Sequence, residues 1–366
     1  MKHPLRRWLL CLLPGIVGLP LLWWLPHAPQ VAEWVFARGI FRVLSVLVGS
    51  LVALLPFSLT ELAAVLALPA LLLLLVLFVR RLRRTASRRA AVGRAVRGVC
   101  WVVSSAFCLY MLLHGANFYR LSAAELLDID PAVQSPETLL AVCVELAEHA
   151  SAERALVSED ADGCMVLTDG VQAALRQADD GYRALDDDYP VLWGGVWRAK
   201  PVLLSHWWSY TGIAGMYFPL LAEANVNTDM PDSEIPATAA HELAHTRGFA
   251  REDECNFFAY LACIQNDSAD IRYSGYLLAY VYCSNALYDY SPAMWEEAAA
   301  HLSDGVRRDL AQRSAYWRSF EGEVQQASTS VNNAFIQAQG DEDGVLSYDR
   351  VVGLIVGYHE KTCNSH

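Results

Sequence analysis

Ala237-Thr238-Ala239-Ala240-His241-Glu242-Leu243-Ala244-His245-Thr246-Arg247-Gly248-Phe249-Ala250-Arg251-Glu252-Asp253-Glu254-Cys255-Asn256 is the stretch on which the reading of this chain turns. Small, helix-favouring residues lead into two histidines four positions apart, and residues at that spacing share one face of a helix. Asp232 and Ser233 are residue types that cap helix N-termini, and Pro236 suits a first turn. Gly248 stands where a helix ends through positive φ. A second helix follows, acidic at its start and apolar along its length. The pattern predicts a helical hairpin turning about Gly248.

His-Glu-x-x-His is the pattern of a zinc site, with His241 and His245 as ligands and Glu242 placed to take a proton from a water on the metal. Catalytic zinc needs a third protein ligand and keeps its fourth position open. Glu252 and Asn256 are i,i+4 neighbours, so a ligating carboxylate and an amide that orients the site can share a face. Glu254 is the competing ligand, pointing roughly 200° further around the helix; Glu252 is expected ahead of it. Arg251 occupies the position of a third histidine in the longer His-x-x-Gly-x-x-His pattern, and a guanidinium cannot bind zinc. Peptide hydrolysis also calls for a donor to the developing oxyanion. Tyr273 and Tyr276 are the candidates, although Tyr273, Tyr276 and Tyr280 also have the spacing of a buried helix face.

The hairpin resembles that of the gluzincin metallopeptidases, in which a glutamate on a later helix completes the site. Glu252-Asp253-Glu254-Cys255-Asn256 is similar to the Glu-x-Glu-Ala-Asp element of membrane zinc peptidases related to the CAAX-processing protease. That resemblance implies Glu252 as ligand and Asn256 as the orienting residue, with an amide in place of a carboxylate. The chain also resembles an uncharacterised family of bacterial multi-pass membrane proteins. The resemblance is carried by Leu55-Pro56-Phe57-Ser58-Leu59-Thr60-Glu61, Ser209-Tyr210-Thr211-Gly212 through Glu223-Ala224-Asn225-Val226-Asn227, the metal hairpin, and Asp343-Gly344-Val345-Leu346-Ser347-Tyr348. It implies an architecture and a chemistry but no substrate.

Charge divides the chain near residue 117. Residues 1–116 hold 13 Lys/Arg against Glu33 and Glu61 alone, and the remainder holds 15 Lys/Arg against 38 acidic residues. Trp8–Leu25, Leu62–Val79 and Gly98–Gly115 are apolar enough to span a bilayer. Val31–Leu59 carries Glu33, Arg38 and Arg42 in its first half and reads as interfacial or re-entrant. Lys2, Arg6 and Arg7 and the eight arginines from Arg80 to Arg97 belong on the cytoplasmic side by the positive-inside rule, which places residues from about 117 outside. Anionic lipid accounts for the arginine loop better than nucleic acid does, because spans bracket it.

Within residues 117–366, Lys200–Ser205 and Gly215–Pro219 read as short strands or extended segments, and the resemblance to zincins implies an edge strand that runs along the cleft and pairs with extended substrate. Glu223 and Asn225 could line the cleft or equally build a turn, and His206 reads as part of an aromatic layer beside Trp207 and Trp208. Six cysteines there, Cys143, Cys164, Cys255, Cys263, Cys283 and Cys363, are compatible with disulfides or with buried thiols. Asp341–Ser347 mimics half an EF-hand loop but lacks its first and last ligands.

The expected fold is mainly α with a small β-sheet. A membrane domain spans 1–116, and a compact zincin-like domain spans 117–366. The expected function is a zinc metallopeptidase of the bacterial cell membrane, its partners a peptide or protein substrate and the bilayer. The alternative is a zinc-binding membrane sensor or scaffold that does not cleave.

Overall fold

Leucine-rich segments with few charges wind into four helices long and apolar enough to cross a membrane: Arg6–His27, Pro29–Val52, Leu59–Arg84 and Arg88–Leu113. We refer to helices Pro4–Trp24, Pro29–Val52, Leu59–Arg84 and Arg88–Leu113 as α1 to α4. The computed structural model describes residues 4–131, 135–195, 197–338 and 348–363. The chain is mostly helical with small sheets. The EF-hand-like stretch Asp341–Ser347 and most of the Asp343–Tyr348 motif lie outside the described residues.

Serine caps start two of these helices, Ser58 accepting from the Glu61 N–H and Ser87 from the Ala90 N–H. Helices α1 and α4 pack side by side and run in the same direction. Trp8 lies under Arg97, the Gly15 N–H donates to Ser104 Oγ at 2.6 Å, and Leu21 packs near Leu112. Gly18 makes the close approach possible, since a Cβ there would press on the Phe107 ring.

Helix α2, expected as an interfacial or re-entrant segment, is a continuous helix of spanning length, wound through i→i+5 turns over Ala32–Phe41. Its charges, which argued against a span, are taken up by protein. Glu33 is fully buried and accepts from Arg120 at 2.8 and 2.9 Å and from Arg38, while Arg42 donates to the Val191 carbonyl. The opposite face exposes Trp34, Val35, Val43, Leu47 and Leu51.

Both ends of α2 and the start of α3 are fastened to the body formed by later residues. Ser45 donates to the Thr246 carbonyl, and the Val52 carbonyl accepts from the buried Lys200 ammonium. The body is built on helix α5 (Pro136–Arg154), α6 (Ile235–Thr246), α7 (Glu252–Ile264) and α8 (Ala269–Tyr290). Their alanines, leucines and aromatics form one continuous core. A hairpin of β1 (Ser158–Glu159) and β2 (Met165–Val166) interrupts the helical run after α5.

A three-stranded sheet packs beside α6 in the order β3 (Lys200–Pro201), β5 (Glu223–Val226), β4 (Gly215–Phe218). Strand β5 is central, parallel to β3 and antiparallel to β4. The Asn227 N–H donates to the Ala214 carbonyl, and antiparallel ladders alternate, so the backbone groups of Gly215 and Tyr217 point off the free edge of β4.

Glu223 and Asn225 do not line a cleft. Both are buried and hold the sheet to the start of α3. The Glu223 carboxylate accepts from the Leu59 and Thr60 N–H groups and the Thr60 hydroxyl, and pairs with Lys200 at 2.9 Å. Ser58 Oγ donates to Asn225 Oδ1. Helix N-termini favour such a carboxylate. In return Glu61 accepts from the Leu203 and Leu204 N–H groups. The two acids of residues 1–116 are thus both spent on joining the apolar helices to the body.

Candidate metal centre

Helix α6 starts without the expected cap. Asp232 accepts instead from the Leu167 N–H, and Ser274 of α8 supplies the capping oxygen to the Ala237 N–H. It ends as predicted, with Gly248 at φ +86° and its N–H on the His245 carbonyl. Four residues later, at Glu252, α7 begins, and this tight hairpin brings the second helix's first turn against the histidines.

His241, His245 and Glu252 present ligand atoms that all lie within 4.8 Å of one another. His241 Nε2 is 3.1 Å from Glu252 Oε2, and His245 Nε2 is 3.7 Å from Glu252 Oε1. Each ring's other nitrogen is already held. His241 Nδ1 pairs with Asn256 Oδ1 at 2.8 Å, and His245 Nδ1 with the Phe249 carbonyl at 2.8 Å. Both tethers accept a proton from Nδ1, which leaves the Nε2 atoms to converge on the carboxylate. Distances of 3–4 Å between donors suit tetrahedral zinc, whose bonds are about 2.0–2.2 Å for nitrogen and oxygen. The residues therefore fit the metal that their pattern implies.

Asn256 explains why an amide serves where the resemblance has a carboxylate, because its task is to accept one hydrogen bond from a ligand ring. Glu254 faces elsewhere, accepting from Arg251 at 2.6 Å and from the Ala123 N–H at 2.7 Å. Arg247 is buried in a core ion pair with Asp179 and stacks on the Tyr182 and Trp197 rings. Cys255 lies behind the site, 3.3 Å from His245 Nδ1. All nine cysteines are free thiols, so the disulfide option has no pair here.

Burial opposes charge throughout the cluster. At His241 it is outweighed by the hydrogen bond and charge of Glu252, and the imidazole rises to about 9. Burial also pushes Glu252 up, but the His241 hydrogen bond and the neighbouring histidines carry it down to about 2. His245 falls to about 4, mainly through burial. One ring is thus neutral and ready to ligate, and the other is an imidazolium paired with Glu252. The Glu252 side chain remains 45% exposed, so the cluster opens to solvent on that side.

Glu242 is buried against the free edge of β4, where a Cβ on Gly215 would collide with its Oε1. Its Oε2 has no partner among the described residues. Burial raises its carboxyl to about 8, against the pull of His241 and of the Tyr217 N–H.

The two tyrosines expected as oxyanion donors are engaged away from this cluster. Tyr273 is buried and donates to Asp309 at 2.6 Å, in a network with Arg154. Tyr276 stacks on His149 with ring centroids 4.9 Å apart. Their spacing reflects packing of α8. His206 does lie in an aromatic layer, beside Tyr210 and Phe320. Sequence reasoning missed two residues that do meet the site. Tyr217 stacks on His245 at 5.7 Å, and His114, just beyond α4, meets His245 edge-on at 5.9 Å. Nothing in their local sequence marks them.

A family model described as a protein of unknown function, DUF3810, matches residues 36–356. The chain belongs to this family. The span matched to DUF3810 includes α3, α4, the sheet and the whole metal cluster. Comparison with curated proteins gave no match, and comparison with solved structures gave none.

Proposed function

We propose that this protein is a membrane-anchored zinc metallopeptidase. The observation that carries the reading is the convergence of His241 Nε2, His245 Nε2 and the Glu252 carboxylate, with both Nδ1 atoms tied back. When bound, zinc would supply Lewis acidity, acidifying a water and polarising a carbonyl. Glu242 holds the proton. Its unpartnered Oε2 beside the cluster suits it, when ionised, to accept a proton from water and return it to a leaving amine. An extended peptide can pair with the outward backbone groups of Gly215, while the Tyr217 N–H holds Glu242 beside it.

Several features favour a substrate close to the bilayer. The parallel packing of α1 on α4 puts the basic N-terminus at the same end as the arginines of 80–97, which the positive-inside rule assigns to the cytoplasm. The body then belongs outside. Leu203 and Trp207, 87% and 67% exposed, project at the level of Glu61 in the first turn of α3. Exposed apolar and aromatic groups at that height suit the lipid interface. We infer an endopeptidase acting on membrane-proximal or cell-envelope proteins.

The test is Glu242→Gln in the full-length protein. It should bind one zinc yet hydrolyse nothing, with casein as the first substrate tried. Hydrolysis at the wild-type rate would remove the mechanism, and a wild-type protein that holds zinc but never cleaves would indicate a sensor or scaffold.

A further inference from the structure

Among the described residues, His114 is the one histidine whose ring meets the metal cluster without belonging to it. It follows the last turn of α4, and its backbone is fixed there, the N–H on the Tyr110 carbonyl at 2.8 Å and the carbonyl accepting from Asn117. Its side chain is enclosed by the rings of Tyr110, Phe118, Tyr217 and His245, with centroids 5.2–5.9 Å away. The residue is 9% exposed, and Nδ1 is buried with no partner among the described residues.

A buried donor left unpaired costs about 1–3 kcal/mol. Packing alone gives no reason to keep it, since phenylalanine would fill a cage of aromatic rings without that cost. Nor does His114 complete the ligand set, because the group whose atoms approach within 4.8 Å comprises His241, His245 and Glu252. The Tyr217 hydroxyl, by contrast, reaches Ser45, whose Oγ donates to the Thr246 carbonyl and can accept from tyrosine in turn. That leaves, next to a ligand histidine, an imidazole nitrogen with no partner among the described residues.

We propose that His114 donates to the carbonyl oxygen of the scissile peptide as negative charge builds on it. The inference rests on the metallopeptidase reading, and it assigns to an apolar helix of the membrane half a residue that touches substrate. A preorganised donor of this kind contributes roughly 10²–10³ in kcat.

The experiment compares wild type, His114→Phe and His114→Gln as full-length proteins loaded with Co²⁺. Visible spectra report the ligand set, acetohydroxamate serves as the oxygen probe, and casein as the substrate. His114→Phe should bind one Co²⁺ with an unchanged spectrum, bind acetohydroxamate about tenfold more weakly, and lose roughly 10²-fold in kcat at constant KM. His114→Gln, which keeps an N–H donor, should recover part of both losses. Wild-type kcat and acetohydroxamate affinity in His114→Phe would reduce His114 to packing. Lost cobalt or a shifted spectrum would make it a ligand, and either result overturns the proposal. If casein proves no substrate, the acetohydroxamate comparison decides by itself. A wild-type protein that binds no metal fails at the earlier step and sinks the metallopeptidase reading itself.

Discussion

His245 Nδ1 lies 2.8 Å from the carbonyl of Phe249, so the residue just past the Gly248 turn holds the second ligand ring of the helix before it. The turn is therefore part of the site. Gly248 has φ +86°, and a Cβ there would press on the Phe41 ring at 3.0 Å. Gly248→Ala should cost about 1–2 kcal/mol from the left-handed backbone alone. It should also weaken zinc binding, because the Phe249 carbonyl moves with the turn. Thermal melts with and without zinc separate the two effects, and a variant that melts lower but binds zinc normally would detach the turn from the ligand.

Asn256 fixes His241 through a single acceptor. Asn256→Ala should lower zinc affinity about 10- to 100-fold, the usual effect of removing a group that orients a ligand. Competition with a chromogenic chelator measures this directly. Asn256→Asp keeps the acceptor and should bind nearer the wild-type level.

The two glutamates of the α7 N-terminus should behave oppositely. Glu252→Ala removes a converging carboxylate and should abolish stoichiometric zinc in the purified protein. Glu254→Ala loses bonds to Arg251 and to the Ala123 N–H, which hold α7 to the segment after α4. It should lower the melting temperature while retaining one zinc.

Zinc uptake should depend on pH with a defined sign. Without metal His241 is held protonated up to about 9, and a ligand must be neutral. Affinity should therefore rise by about one decade per pH unit below that value and level off above it. His245, down at about 4, adds no slope in this window. The measurement is best made in Glu242→Gln, which removes the second titrating acid. A flat profile between pH 7 and 9 would mean that His241 is already neutral.

Glu33 and Arg120 form a buried pair, so removing one partner strands the other. Arg120→Ala should destabilise by about 3–5 kcal/mol. Arg120→Met combined with Glu33→Gln should recover much of that loss. Comparing the single and double variants by thermal melting tests whether stranded charge is the cause.

The metal hairpin was legible in sequence because every distance in it is short. Four-residue spacing on one helix, a glycine at the turn and a second four-residue pair define faces before any tertiary packing is known. Three of the apolar helices were legible for the same local reason. His114 and Tyr217 were not, because they reach the cluster from elements well over a hundred and about thirty residues away from the metal helices' own local pattern. The Ser274 cap on α6 was hidden likewise, since Asp232 and Ser233 look like better local candidates. Glu223 and Asn225 stayed open between cleft and turn because the sequence does not show their partner, the N-terminus of α3, which Glu223 closes. The charges of α2 argued against a long helix only while their partners, Arg120 and Val191, were unknown.

The joints made by Glu33, Ser45, Lys200 and Glu223 bear on how the two halves of the chain depend on each other. Thr246 and Gly248, at the end of the first metal helix, are contacted by Ser45 and Arg120, and Arg120 is itself neutralised by Glu33. A fragment beginning at Asn117 would leave Arg120, Lys200 and Glu223 without their apolar-helix partners. The end of the first metal helix is thus held in part by α2, through Ser45 directly and through Arg120 paired with Glu33. Such joints make the shape of the metal hairpin and the seating of the apolar helices a single structural unit, so that damage to either is felt by both.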